Sequence, residues 1–299
     1  METDVKSGNS AFAIGRTGQC FIEQGADMKK DHFEGWYFKH QAGGETLAFI
    51  PGRAEGGAFV QMIGDSGSQN FDVDHFSVQD GVIRAGSCVF SMEGVVIDLP
   101  SVQGEIRYGQ PTKLKGAIMG PFQRLPMECR HEVISMRHEL RGSIFAQRKE
   151  TVFDGGFGYI ERDSGTSFPT SYQWIQCSAF REPCSVMLSI ARIPFLGGPF
   201  TGCICSVVYG EREYRLATYK GVRIRAAEPG YVVLSQGKLL LKIDIRSCAA
   251  AHPLFSPVSG RMTGVIRESN RACARFRLWD NGVPVFDLRS ENAGYEYVE

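Results

Sequence analysis

No apolar run in this 299-residue chain approaches the roughly 18 residues that a helix needs to span a bilayer. The opening "METDVKSGNSAFAIG" has no basic start followed by an apolar stretch, so no secretory leader is expected. Excess charge is absent too. The 33 basic and 33 acidic residues cancel, which gives neither nucleic acid nor an anionic membrane surface a claim as main partner. The cysteines number nine, an odd count, and include no C-x-x-C. That argues against a disulfide framework or a zinc site and for a reducing, cytoplasmic setting. The chain also lacks a G-x-S-x-G elbow, an H-E-x-x-H, a Walker loop and a dinucleotide fingerprint leading into a helix. The histidines form no ligand pattern. His131 and His138, the nearest useful pair, are better read as strand residues with hydrogen-bond partners, and no metal is expected.

Helical periodicity is scarce as well. One stretch, "PFQRLPMECRHEVISM", leaves room for a short helix. What the chain has instead is 35 glycines and 11% aromatic residues, with short alternating runs between turn signals. "GAFVQMIG", "CICSVVYGEREYRLATY" and "GYVVLSQGKLLLKIDI" read as strands. "YGEREYR" and "WDNGVPVF" read as hairpins, the second around Asn281-Gly282, residue types that tolerate positive φ. Many strands at such spacing indicate an all-β sandwich or barrel, and the length favours two antiparallel β domains in tandem. The polar "FAQRKETVFDGG" sets a boundary near residue 150, giving domains 1–150 and 151–299. Arg261, Arg267, Arg271, Arg275 and Arg277 alternate with apolar residues and read as a solvated strand face.

Two stretches carry chemistry. In "DHFEGWYFK", strand alternation puts Glu34 with Trp36 and Phe38 on one face, and Phe33, Gly35 and Tyr37 on the other. If the first face points inward, desolvation raises the Glu34 pKa and favours the protonated acid. The alternatives are an outward face with Glu34 solvated, or Glu34 paired with an arginine inside the barrel. In "FDGGFGYIERDSGTSFPTSYQWIQC", Tyr159, Glu161 and Asp163 share one strand face, and Tyr172, Trp174 and Gln176 share another beyond a turn. Two adjacent strands would then set two carboxylates opposite aromatic rings. Such carboxylates cannot both ionise cheaply in an apolar cavity. The arrangement reads either as a general-acid site lined by rings that stabilise a cation or as a polar network pinning two strands.

These stretches also carry a resemblance. "FEGWYFK", "GPFQRLPMECRHEVISMRHELRGSIF", "FDGGFGYIERDSGTSFPTSYQWIQCSAF", "SIARIPFLGGPFTG", "YRLATYKG" and "LFSPVSGRMTGVIRES" resemble, in order, motifs of the tocopherol cyclase family, from about residue 12 to the C-terminus. Ser164 departs from the pattern, where the family is expected to carry Trp. The resemblance implies two tandem lipocalin-like β-barrel domains, related to carotenoid hydratases and lipocalin-type cyclases. It also implies a reaction without metal or redox cofactor: a prenylated hydroquinone closes a chromanol ring as its nearest alkene is protonated and the phenol oxygen attacks.

On that reading Asp163 or Glu161 donates the proton, with Glu34 as a third candidate. Trp36, Tyr37, Tyr159, Tyr172 and Trp174 offer π faces, a second carboxylate or a tyrosine takes the phenolic proton, and Gln176 and His131 orient. The expected partner is a hydrophobic small molecule, collected through peripheral contact with a membrane. The competing expectations are a noncatalytic carrier of an apolar ligand in the same barrel and a related hydratase or cyclase.

Overall fold

The computed structural model describes residues 30–195 and 198–299. The opening residues, where no leader is expected, and part of the Pro/Gly-rich 192–202 loop lie outside the described residues. Among these the chain forms two antiparallel sheets and only short 3-10 turns.

The first sheet has twelve strands. From one edge it runs Gly67–Val73, Gly57–Gly64, Glu45–Ala54, Phe33–Ala42, Phe157–Gly165 and Cys129–Ala146. It continues through Val102–Tyr108, Gly94–Leu99, Cys88–Phe90, Val82–Ala85 and Phe76–Gln79, and Lys149–Val152 pairs with Cys129–Ala146. The second sheet has ten strands, built outward from a centre of Tyr172–Cys177, Val283–Val298 and Arg261–Asp280. Each sheet curls around its own core. In the first, Phe49 and Met62 pack with Ile83 and Phe90 from the other end of the strand order. In the second, Ile175 and Leu188 pack with Leu234 and Phe276.

The turn chemistry follows the sequence. Asn281 and Gly282 have φ of 53° and 78°, as a hairpin with two left-handed central residues requires. Tyr209 pairs with Arg212 across the other expected hairpin. The stretch left open to a helix forms only a 3-10 turn, Gly120–Arg124. Pro126, just beyond its end, lacks the donor to continue it, and a strand begins at Cys129.

The polar stretch around residue 150 is a hairpin inside the first sheet, where Ser143 pairs with Val152. The chain leaves that sheet at Gly165 and enters the second at Tyr172. Tyr159, Glu161 and Asp163 therefore belong to the first sheet, and Tyr172, Trp174 and Gln176 to the second. They are not on paired strands, as the sequence suggested, but on two sheets that face one another.

A third apolar cluster fills that contact. Tyr37, Ala48, Ile63 and Met136 from the first sheet meet Trp174, Met187 and Ile266 from the second. The strand Phe33–Ala42 is thus buried on both faces, Trp36 and Phe38 in the first core and Tyr37 between the sheets. This accounts for the aromatic density of "FEGWYFK": a strand wet on neither side carries rings on both.

Candidate active site between the two sheets

Between the sheets lies a cavity of about 170 Å³. The odd-numbered face of the first strand, Phe33, Gly35 and Tyr37, lines it, and Trp174 and Tyr172 face it from the second sheet. Met119, Phe122 and Met127 from the 109–128 loop and Phe168 from the inter-sheet connection add apolar lining.

Two groups of acids open onto this cavity. The first belongs to the first sheet. His131 sits opposite Asp163 in the strand register, and its Nδ1 donates to Asp163 Oδ1 at 2.8 Å. His131 Nε2 lies 3.3 Å from Glu161 Oε2. That same oxygen accepts from Tyr159 Oη at 2.5 Å and from Trp174 Nε1 at 3.3 Å. Burial alone would lower the His131 pKa. The charges of Asp163 and Glu161 and their hydrogen bonds outweigh it and hold the imidazole protonated well above its ordinary value. The result is an imidazolium between two carboxylates.

The second group belongs to the second sheet. Glu268 and Glu296 are direct cross-strand partners. Tyr37 donates to Glu268 Oε1 from across the cavity, and Tyr172 donates to Glu296 Oε2 at 2.7 Å. Burial raises the pKa of both carboxyls, and each is raised further by neighbouring carboxylates, Glu161 among them. Glu268 Oε2 is buried without a protein donor. Two such groups cannot both ionise cheaply in an apolar wall, which favours retention of a proton on the pair.

The sequence candidates divide accordingly. Tyr37, His131, Glu161, Asp163, Tyr172 and Trp174 line one cavity. Tyr159 stands behind it, holding Glu161. Gln176 is fully buried beyond the cavity lining, accepting from Lys39 Nζ at 3.0 Å and donating to Ser178 at 2.8 Å. Glu34 and Trp36 are on the opposite face of their strand, away from this cavity. Glu34 accepts from Arg53 at 2.6 Å and from Arg162 at 2.8 Å, and Arg162 lies over the Trp36 ring, 4.8 Å from its centroid. The alternative of an arginine-paired Glu34 is the one the structure adopts. Desolvation without a partner, the basis for reading it as an acid, does not occur.

Glu268 and Glu296 were not among the sequence candidates. Their signal was present but faint: Glu268 alternates with Ile266 on the inward face of "GVIRES", and Glu296 stands between Tyr295 and Tyr297. Buried Lys39 was missed as well. Desolvation lowers its pKa, countered chiefly by the charge of Glu268.

Among the described residues, His131, Glu161 and Asp163 place one donor atom each within 4.8 Å of one another, a spacing that could also hold a cation. In the structure His131 Nδ1 is engaged by Asp163, while Nε2 has Glu161 nearby at 3.3 Å but no hydrogen-bond partner. His138, the other histidine considered, is turned away, with Nδ1 2.9 Å from Ser135 Oγ. Four of the five arginines of the C-terminal cluster, Arg261, Arg271, Arg275 and Arg277, pair with Glu55, Asp65, Asp287 and Asp244.

This is an all-β fold of two antiparallel, lipocalin-like sheets with a polar-floored apolar cavity between them. Among solved structures it is similar to CghA, determined with Sch210972, at a TM-score of 0.57 and 11% identity over 89% of this chain and 88% of that one. It is also similar to a putative AttH from Nitrosomonas europaea, at a TM-score of 0.53 and 14% identity over 89% of this chain and 91% of that one. Kievitone hydratase from Nectria haematococca stands at a TM-score of 0.48 and 10% identity, covering 89% of this chain and 88% of that one. At these identities the likeness is one of fold. No family model matches the chain, and no curated protein matches it. Among the described residues no helix is long and apolar enough to cross a membrane.

Proposed function

We propose that the protein is an intramolecular cyclase that closes an oxygen ring in an apolar, prenylated aromatic or similar polyprenyl lipid by proton transfer inside the inter-sheet cavity. One observation carries the reading: the cavity is faced by the buried carboxyl pair Glu268 and Glu296 from one sheet and by His131 paired with Asp163 from the other. Protonating an alkene needs an undissociated acid in a dry site, and accepting the phenolic proton needs a base in the same site.

The pair Glu268–Glu296 takes the role of acid, in place of Asp163 or Glu161. Its proton adds to the side-chain alkene and leaves a tertiary cation. The faces of Trp174 and Tyr172 stabilise that charge. The phenol oxygen attacks the cation, and its proton passes to Asp163. Asp163 is better suited than Glu161, whose Oε2 already accepts from Tyr159 and Trp174 and which is the more deeply buried of the two. Bonds and protons balance in the substrate without an outside reactant, as a cyclisation requires, and the proton left on Asp163 returns to the Glu268–Glu296 pair through solvent before the next turnover. Folding the tail so that oxygen meets cation is a positioning task, served by the apolar walls.

The test is turnover of a prenyl hydroquinone by wild type, Glu268→Gln, Glu296→Gln and Asp163→Asn. Expected is a product of unchanged mass, with each variant losing at least about a hundredfold in rate. A product heavier by one water would move the reading to a hydratase using the same acid. Recovery of the ligand unchanged by wild type would make the protein a carrier.

A further inference from the structure

The polar lining of the cavity is one-sided. Glu161, Asp163, Glu268 and Glu296 all face it, and among the described residues no lysine or arginine lines it. The chain as a whole has as many basic as acidic residues, so this bias belongs to the site. His131 offsets one charge and a shared proton between Glu268 and Glu296 another, which leaves the floor negative. The nearest additional cation, Lys39, is turned to Gln176 and lies 5.9 Å from the Trp174 ring centroid, behind the wall rather than in it.

A carboxylate or phosphate entering this space would lose its hydration and meet like charge, while the one cation among the described lining residues, the His131 imidazolium, is already set between Asp163 and Glu161. A hydroxyl or phenol would find acceptors, Asp163 and the Glu268–Glu296 pair, without the cost of desolvating a charge, and an ammonium group would have that cost offset by opposite charge. We infer that the cavity accepts apolar molecules whose polar end is neutral or cationic and donates hydrogen bonds, and that it turns away carboxylates and phosphates. This deepens the proposed function and rests on its use of the inter-sheet cavity as the substrate site. It excludes fatty acids, isoprenoid acids and prenyl phosphates as ligands, although their tails suit the apolar walls equally well.

Four probes with one tail isolate the head: farnesol, farnesylamine, farnesoic acid and farnesyl phosphate. Binding is read at pH 7.5 from quenching of the cavity residue Trp174, with Trp174→Phe as the control for Trp36 and Trp279. Expected is that acid and phosphate bind at least tenfold more weakly than the alcohol and that the amine binds at least as tightly. The gap between alcohol and acid should narrow at pH 5 in the wild type. It should narrow also in the double variant Glu268→Gln/Glu296→Gln at pH 7.5, which removes the charge the pair retains; the wild-type pH series carries the test should that variant fail to fold. Acid binding equal to alcohol binding in the wild type overturns the inference, and so does failure of all four probes to bind. The readout is affinity. A protein that sorts the heads in the expected order yet never converts a prenyl hydroquinone keeps this inference and loses the cyclase reading. One that converts it while binding the acid as tightly as the alcohol does the reverse.

Discussion

Tyr37 and Glu268, separated by 231 positions, share a hydrogen bond that crosses from one sheet to the other. The phenol belongs to the strand that opens the first sheet, and the carboxyl to the long strand Arg261–Asp280 of the second. Burial raises the Glu268 pKa, while the charge of Lys39 and the Tyr37 hydrogen bond pull it down. Removing the hydroxyl should let it climb. Because the acid works in its protonated form, Tyr37→Phe is expected to move the alkaline limb of the pH–rate profile to higher pH. Stability should fall by about 1–3 kcal/mol, since a buried acceptor loses its donor. A rate profile measured from pH 5 to 10 checks the first, and urea denaturation the second. An unmoved limb would detach Glu268 from the acid step.

Glu34 offers the opposite contrast. It has the same aromatic neighbours in sequence, but its carboxylate is spanned by Arg53 and Arg162 on the face turned away from the cavity. Glu34→Gln should therefore leave turnover of a prenyl hydroquinone within about twofold of wild type and cost stability instead, about 1–3 kcal/mol for two charge-assisted hydrogen bonds weakened. A large loss of rate with unchanged melting would restore Glu34 to the chemistry.

The difference between these two residues shows what sequence could carry. Alternation along "FEGWYFK" assigned the two faces correctly, because period-two geometry is local. Which face would look onto a cavity was not local. Both are apolar, and only the docking of the second sheet makes the Tyr37 face a wall. Glu161 and Trp174 were also placed on suitable strands, although their meeting at 3.3 Å is between sheets and not along a shared ladder. Glu268 and Glu296 were opaque for a related reason. Their register is fixed by a bulged pairing between the last two strands, and a lone acid in each strand reads like any surface glutamate. The hairpin at Asn281-Gly282 was legible because few residue types meet its backbone demand.

Acid should expose a separate weakness inside the first sheet. His40 donates from Nδ1 to Leu47 O at 3.1 Å, and its Nε2 accepts from Tyr108 Oη at 2.6 Å; the Tyr108 and His138 rings lie 4.3 Å apart. Burial depresses both imidazoles, His40 to about 4 and His138 to about 3. In the unfolded chain they take up protons near pH 6.5. Between those values the unfolded state binds more protons than the folded one, so stability is complete above about pH 6.5 and declines as pH falls. For His40 alone the loss reaches about 3 kcal/mol by pH 4. The variant His40→Gln/His138→Gln should lose less stability than wild type between pH 7 and pH 4. Urea midpoints at the two values measure it, and equal slopes for both proteins would contradict the assignment.

The loop over the cavity supplies the last prediction. It carries Met119, Phe122 and Met127 into the lining, yet makes only a single 3-10 turn of its own, so its position must be imposed from outside. Arg215 of the second sheet does this. Its guanidinium donates to Ala117 O at 2.8 Å, to Gly116 O at 3.2 Å and to Tyr219 Oη at 3.0 Å, and Tyr219 donates in turn to Ile118 O at 2.9 Å. Glu213 completes the clamp by accepting from Lys115 N at 2.7 Å. Gly120, with φ of 55°, lies so close to the Tyr219 ring that an added Cβ would stand 2.6 Å from it, which fixes the turn against the second sheet. Arg215→Ala removes three of these bonds without touching an acid of the cavity. The loop should then open more often, raising KM for a prenyl hydroquinone severalfold while kcat changes less, because the Glu268–Glu296 pair and His131 stay in place. Amide exchange should speed up across residues 115–122 and remain unchanged in the strand Tyr172–Cys177. Unchanged exchange across 115–122 would mean that the turn's packing on Tyr219, and not Arg215, holds the loop.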